Sequence, residues 1–253
     1  MNRIANSASL RFGIALLAIA PLASGSVAVG APNVAIVTGS FYTTDLYNVL
    51  TGGGVSVTEI NSYTAASLAP YTHVIHDGNT FSTDMGALTN YVNAGGTLIE
   101  LPWFWSNNSP PPALAVFNTI DDDIYSAPYP GINALLPAHP LLAGVSFPPP
   151  GGFNVGYDNQ ATFAPGVTGI AAWADGTGTA LLGEKSLGAG KVIGINMHVI
   201  TSDTAYQVIH EPFATQLFLN AVGAIPEPNS LVLACGACLG LATSARSRRR
   251  LRR

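Results

Sequence analysis

The stretch Tyr91-Val92-Asn93-Ala94-Gly95-Gly96-Thr97-Leu98-Ile99-Glu100-Leu101 decides the fold. It reads as the last turn of a helix, a double-glycine stop and a buried strand. Upstream, Met85, Leu88, Tyr91 and Val92 recur at helical spacing on one face, and Ser82 or Thr83 is the expected N-cap. Two glycines in a row end such a helix because the αL backbone they adopt carries no Cβ penalty. The apolar run from Thr97 to Leu101 is too short for a helix and bounded like a strand.

Working outward, the same alternation repeats. Asn33 to Thr38 is an apolar strand, Asp45 to Leu50 a short helix stopped by Gly52-Gly53-Gly54, Val55 to Ile60 a second strand, and Thr72 to Asp77 a third. Downstream, residues 102–166 are broken by Pro110-Pro111-Pro112 and Pro148-Pro149-Pro150-Gly151-Gly152, and read as long loops with one short helix near Ala113 to Asn118. Regularity returns with strands at Gly169 to Trp173, Thr179 to Glu184 and Lys191 to Met197. The last two are joined as a hairpin by Gly188-Ala189-Gly190. A final helix from about Asp203 to Val222 is expected to break or kink at Pro212. Strand and helix units of this length favour parallel pairing through right-handed crossovers. The expectation is an α/β domain with an open, mostly parallel, flavodoxin-like sheet and a C-terminal hairpin.

Both ends of the chain have a different character. Arg3 and Arg11, the apolar Phe12 to Ala23 and the A-x-G site Ala28-Val29-Gly30 compose a signal peptide over residues 1–30, with no Cys near the site to suggest a lipoprotein. Residues 226–253 combine Pro226-Glu227-Pro228, the apolar run Leu231 to Ala242 and the cations Arg246, Arg248, Arg249, Arg250, Arg252 and Arg253. A basic cluster beside an apolar segment resists translocation, so the arginines stay cytoplasmic and the run becomes a transmembrane helix. Ser230 to Ala245 is short against the roughly 20 residues of a full span, which suits a transient anchor.

Between the ends, residues 31–225 are long enough for one well-buried domain. This body holds 2 of the 10 Lys and Arg and 13 of the 14 Asp and Glu, a formal charge of 2 − 13 = −11 that the whole-chain value of −4 conceals. Such a surface repels nucleic acid and anionic membrane, which are held mainly through Lys and Arg. Cys235 and Cys238 both lie in the tail, so the body has no disulfide, and their C-x-x-C spacing reads as apolar helix filler. No P-loop, Rossmann fingerprint or H-E-x-x-H occurs. No cofactor and no metal site is implied. Asp121-Asp122-Asp123 is a solvated turn before it is a calcium loop, because calcium loops alternate ligands with spacers.

In open α/β sheets ligands sit at the carboxyl ends of the strands. That rule gathers His76 and Asp77 after the third strand, Glu100, Trp103 and Trp105 around the end of the fourth, and His198 after the last. Imidazoles with an acid could move protons and indoles could stack on sugars. The plainer alternative is that the tryptophans cover the sheet edge and the histidines pack. His73 and His76, three apart on a strand, point to opposite faces and do not chelate.

Two resemblances follow from these residues. Pro226-Glu227-Pro228, the apolar helix and the arginine cluster, in that order, resemble the PEP-CTERM sorting signal of exported bacterial proteins. The resemblance implies recognition and processing by a membrane exosortase, an inner-membrane-tethered precursor cut by signal peptidase at its other end, and delivery to the cell surface or extracellular matrix. The body resembles the class I glutamine amidotransferase-like superfamily, ThuA-like proteins included. It does so through Tyr91 to Ile99, His139-Pro140-Leu141-Leu142-Ala143-Gly144-Val145 and Gly188-Ala189-Gly190-Lys191-Val192-Ile193. Amidotransferases of that superfamily use a Cys on a strand-to-helix elbow, and the body has neither Cys nor a G-x-S-x-G substitute, which excludes that chemistry. Two functions follow as expectations: a non-catalytic exported surface protein, or a secreted carbohydrate-binding or hydrolytic domain whose partner would be extracellular polysaccharide.

Overall fold

The computed structural model describes residues 31–37, 44–78, 84–118, 124–199 and 208–223. All belong to the compact unit that begins at Ala31. The expected signal peptide, the Pro226–Arg253 tail with its expected transmembrane helix, and Asp121 to Asp123 lie outside the described residues. Among the described residues no helix is long and apolar enough to cross a membrane.

An eight-stranded sheet runs in the order β2-β1-β3-β4-β12-β11-β10-β7. Strands β1 (Asn33–Val37), β2 (Ser56–Ile60), β3 (His73–His76), β4 (Thr97–Glu100) and β12 (Gly190–Ile195) pair parallel to one another. Their order is the 2-1-3-4-5 pattern of flavodoxin-like sheets. Strands β11 (Ala180–Leu187), β10 (Thr168–Trp173) and β7 (Ile132–Ala134) extend it antiparallel, so the expected hairpin is β11–β12.

The parallel strands are apolar on both faces because helices cover both. Val34, Ile36, Ile75, Ile99, Ile193 and Ile195 face a core built with α1 (Thr44–Gly52) and α5 (Pro212–Ala221). The alternate residues Ala35, Val37, Val74, Leu98 and Val192 face α2 (Ala65–Leu68), α3 (Met85–Asn93) and α4 (Pro102–Asn108). The double-glycine stretch closes as read: Gly95 N–H donates to Val92 O at 2.9 Å and Gly96 N–H to Tyr91 O at 3.1 Å. It also meets the hairpin turn. A Cβ on Gly190 would stand 2.2 Å from Gly96 O and 2.3 Å from Val92 O, so the two glycine turns interlock backbone to backbone.

Three expectations are corrected. The cap of α3 is Asp84, whose side chain accepts from Ala87 N–H at 2.9 Å, rather than Ser82 or Thr83. The final helix does not run on across Pro212: α5 begins there, in the first turn where the missing N–H costs nothing, a 3-10 turn occupies 208–210, and the expected start at Asp203 lies outside the described residues. Within residues 102–166 the short helix is α4, not Ala113 to Asn118, and short strands interrupt the loops. The segment adds β5 (Phe117–Asn118) paired with β9 (Thr162–Phe163), β6 (Ile124–Pro128) paired with β8 (Asn154–Asp158), β7 in the main sheet and a 3-10 turn at Pro140–Leu142. It contributes core as well: Tyr129 stacks on Phe153 at 4.7 Å, and both rings lie near Phe213 of α5.

Candidate functional site

The carboxyl ends of β3 and β4 place His76 and Glu100 side by side. They are register partners in the parallel ladder, hence on the same face, and both are fully buried. The next strand offers Gly194 opposite Glu100. Because Gly194 has no side chain, Val116 and Phe117 lie directly on the sheet; a Cβ there would be 2.5 Å from the Phe117 ring. Val116 N–H then donates to Glu100 Oε2 at 3.3 Å.

His76 is held at both nitrogens. Gly78 N–H donates to Nδ1 at 2.9 Å, which fixes the tautomer with the proton on Nε2, facing the Tyr63 hydroxyl at 3.2 Å. The imidazole is edge-on to Phe104 at 4.9 Å between ring centres. Burial lowers its pKa to about 3, so it is neutral at any ordinary pH. Gly78 matters to this geometry: with φ +79° it passes so close to α4 that a Cβ would stand 2.1 Å from the backbone of Trp103 and Phe104. Asn108 Nδ2 seals the contact by donating to Gly78 O at 3.0 Å.

Glu100 has the opposite shift. Burial raises its pKa well above the usual carboxylate range, against the N–H of Val116 and the charge of Lys185, and so favours the neutral acid. Among the described residues its Oε1 has no hydrogen-bond partner, which a neutral acid tolerates far better than a carboxylate. Lys185 is engaged elsewhere, donating to Pro112 O and Ala115 O at 2.5 and 2.7 Å and so fastening the same segment that covers Glu100.

His198 is buried beyond β12, its pKa also lowered to about 3 by burial, with the Trp103 ring edge-on at 4.9 Å. Trp103 is half-buried; Trp105 is buried against Phe117 at 4.7 Å. Asp77 is buried immediately after His76. His73 lies on the other face, its Nδ1 2.9 Å from the Thr72 hydroxyl. The strand-end rule thus brings the six residues to one edge of the sheet. His76 and Glu100, though adjacent, do not hydrogen-bond each other, and both nitrogens of His76 are occupied within the fold.

Sequence reasoning missed Tyr63 and Asn196. Tyr63 follows β2, so applying the strand-end rule to that edge strand would have found it. Asn196 follows β12 and is fully buried: Oδ1 accepts from Asp158 N–H, and Nδ2 donates to Asp158 O and Ala180 O, all at 2.8 Å. It pins β8 to the end of the hairpin. Nothing in the sequence marks one asparagine for that role.

No group of three or more His, Cys, Asp or Glu among the described residues is arranged to hold a metal ion. A groove of about 510 Å³ lies at the opposite edge, between α2 and α3, lined by Ala65, Ala69, Tyr71, Asn90, Tyr91 and Gly95. It brings no charged side chain and none of the candidate residues. At the β4–α4 turn the chain reads Leu101-Pro102-Trp103-Phe104-Trp105, a strand-to-helix elbow without thiol or hydroxyl.

No protein-family model matches the sequence, and no curated protein matches it either. Solved structures do match the fold. A cytoplasmic protein of Salmonella typhimurium LT2 superimposes with a TM-score of 0.59 at 15% identity, over 76% of this chain and 99% of that one. A second cytoplasmic protein of Salmonella typhimurium gives 0.57 at 17% identity, over 77% and 98%. A ThuA-like protein of Parabacteroides merdae gives 0.56 at 12% identity, over 78% and 92%. The body therefore has the glutamine-amidotransferase-like fold seen in ThuA-like proteins.

Proposed function

We propose that this chain is an exported bacterial surface or extracellular-matrix protein, sorted through Pro226 to Arg253, whose α/β domain acts without catalysis. The tail carries the reading: Pro226-Glu227-Pro228, an apolar run and six arginines occur in the order of the PEP-CTERM signal. Its processing partners are signal peptidase near Gly30 and an exosortase near Pro226, and the inner membrane holds the precursor between those cuts. The sealing of His76 supports a non-catalytic domain, since both of its ring nitrogens are hydrogen-bonded within the fold. Nucleic acid is not a partner of a body with formal charge −11, 2 − 13.

Fusing residues 220–253 to an exported reporter tests the sorting. Cleavage that needs the matching exosortase is expected; a reporter that stays inserted and uncut overturns the claim. Mass spectrometry of the mature termini reads both cuts at once.

A secreted carbohydrate-binding or hydrolytic domain is the second reading, favoured by Trp103, half-buried at the strand carboxyl ends beside His198. Extracellular polysaccharide would then quench tryptophan emission of the body, and Trp103→Ala would abolish the change.

A further inference from the structure

The acids of the body are not spread evenly. Of the nine Asp and Glu among the described residues, eight lie toward the carboxyl edge of the parallel strands. Asp45, Asp84 and Glu211 stand at the amino ends of α1, α3 and α5. Asp77 and Glu100 close β3 and β4, and Glu59 is the penultimate residue of β2. Asp158 is bound to Asn196 beyond β12, and Asp175 follows β10, which runs parallel to β12. The ninth, Glu184, is paired with Lys191 at 3.6 Å. Lys191 opens β12, and Lys185 lies in register with Val192 near that same start. Among the described residues the amino edge thus carries Lys191 and a single carboxylate paired with it, while the Lys185 ammonium reaches back to Pro112 O and Ala115 O. The turns of this edge are Gly52-Gly53-Gly54, Ala69-Pro70-Tyr71-Thr72, Asn93-Ala94-Gly95-Gly96 and Gly188-Ala189-Gly190.

The chain enters and leaves by this edge. Strand β1 starts there after Ala31, and α5, which returns antiparallel to β12, ends there at Ala221. Between Gly223 and Leu231 stand seven residues, 230 − 223, which reach at most about 25 Å even when fully extended. Strand β12 alone, with 6 residues, is about 20 Å long. A tether attached at the amino edge cannot swing the carboxyl edge against the bilayer without spending nearly its whole length on the flank of the domain. Charge acts in the same direction: inverted, the acidic edge would come within a Debye length, about 8 Å in physiological salt, of anionic headgroups.

We propose that in the membrane-tethered precursor the amino edge of the sheet is the surface apposed to an anionic lipid bilayer, so that the acidic carboxyl edge with Trp103 and His198 faces outward. This rests on the reading of residues 226–253 as a membrane anchor.

The test uses the chain from Ala31 to Arg253 in vesicles of phosphatidylethanolamine and phosphatidylglycerol carrying a headgroup quencher. Cys235 and Cys238 are replaced by Ser, and a fluorophore is placed at Ala189→Cys on the amino edge or Gln160→Cys on the carboxyl edge; both positions are exposed. The expected result is a several-fold loss of emission at position 189 with little change at 160. Equal quenching, or stronger quenching at 160, in protein that cosediments with the vesicles overturns the orientation while leaving the anchor standing. Protein that does not cosediment overturns the anchor and the orientation with it. Circular dichroism of each labelled variant confirms that the fold is retained.

Discussion

At the residue scale, the two buried groups of opposite chemistry shape stability in opposite directions. His76 and His198 have folded pKa values lowered to about 3 from an ordinary 6.5. Between those limits the unfolded chain binds more protons than the native one, so their contribution is fully present above pH 6.5 and is lost as the pH falls toward 3. Urea denaturation should show stability declining by a few kcal/mol over that range, and His76→Gln should flatten the slope. Glu100 has a raised folded pKa, so its contribution is present below the usual carboxylate range and is lost as the pH rises toward that raised value. Glu100→Gln, which keeps the shape and cannot ionise, should be near neutral at about pH 4 and stabilising by about 1 kcal/mol or more at pH 9. A loss at pH 9 would mean that the carboxylate is the native form. The strand-end rule found these residues because it depends only on chain direction. It could not tell that Gly78 N–H and Tyr63 occupy His76 or that Val116 covers Glu100, since those contacts arise from where the chain returns.

At the element scale, glycine turns do work that a strand or helix propensity does not express. Gly78 and Gly54 have nearly the same φ, +79° and +81°, but a Cβ on Gly78 would strike the backbone of α4 while one on Gly54 would meet nothing within 4 Å. Gly54→Ala should therefore cost about 1–2 kcal/mol, the backbone strain alone. Gly78→Ala adds a clash with atoms that cannot rotate away, and should cost over about 3 kcal/mol or prevent folding. Thermal denaturation of the pair separates strain from collision. The strands legible in the sequence, β1 to β4, β10 and the β11–β12 hairpin, are runs with a glycine at or within two residues of one end. Those that were not are short pieces between prolines. Ile132-Asn133-Ala134 is only three residues long, yet it completes the sheet because Trp173, Ala172 and Ala171 present a free edge to it. In α4, Pro102 was the start signal, overshadowed by aromatic residues that read as cover for the sheet edge.

At the scale of the whole molecule, processing at Gly30 as proposed would leave 8 Lys and Arg, 10 − 2, against 14 Asp and Glu, a formal charge of −6. Removing the tail as well takes it to 2 − 13, or −11. The processed body should therefore elute from an anion exchanger at clearly higher salt than the precursor at pH 7; coelution would mean that the arginines are retained. The position of β12 between β4 and β11 has a consequence in time. Thr97 pairs with Lys191, 94 positions later, so one edge of the central strand β4 stays open until the hairpin arrives. Pairings so distant in sequence are slow to form, and an open apolar strand edge is a template for the wrong neighbour. A chain that crosses a membrane from its amino end emerges with β1 to β4 first, and its period of greatest vulnerability lasts until the hairpin of residues 180–195 follows.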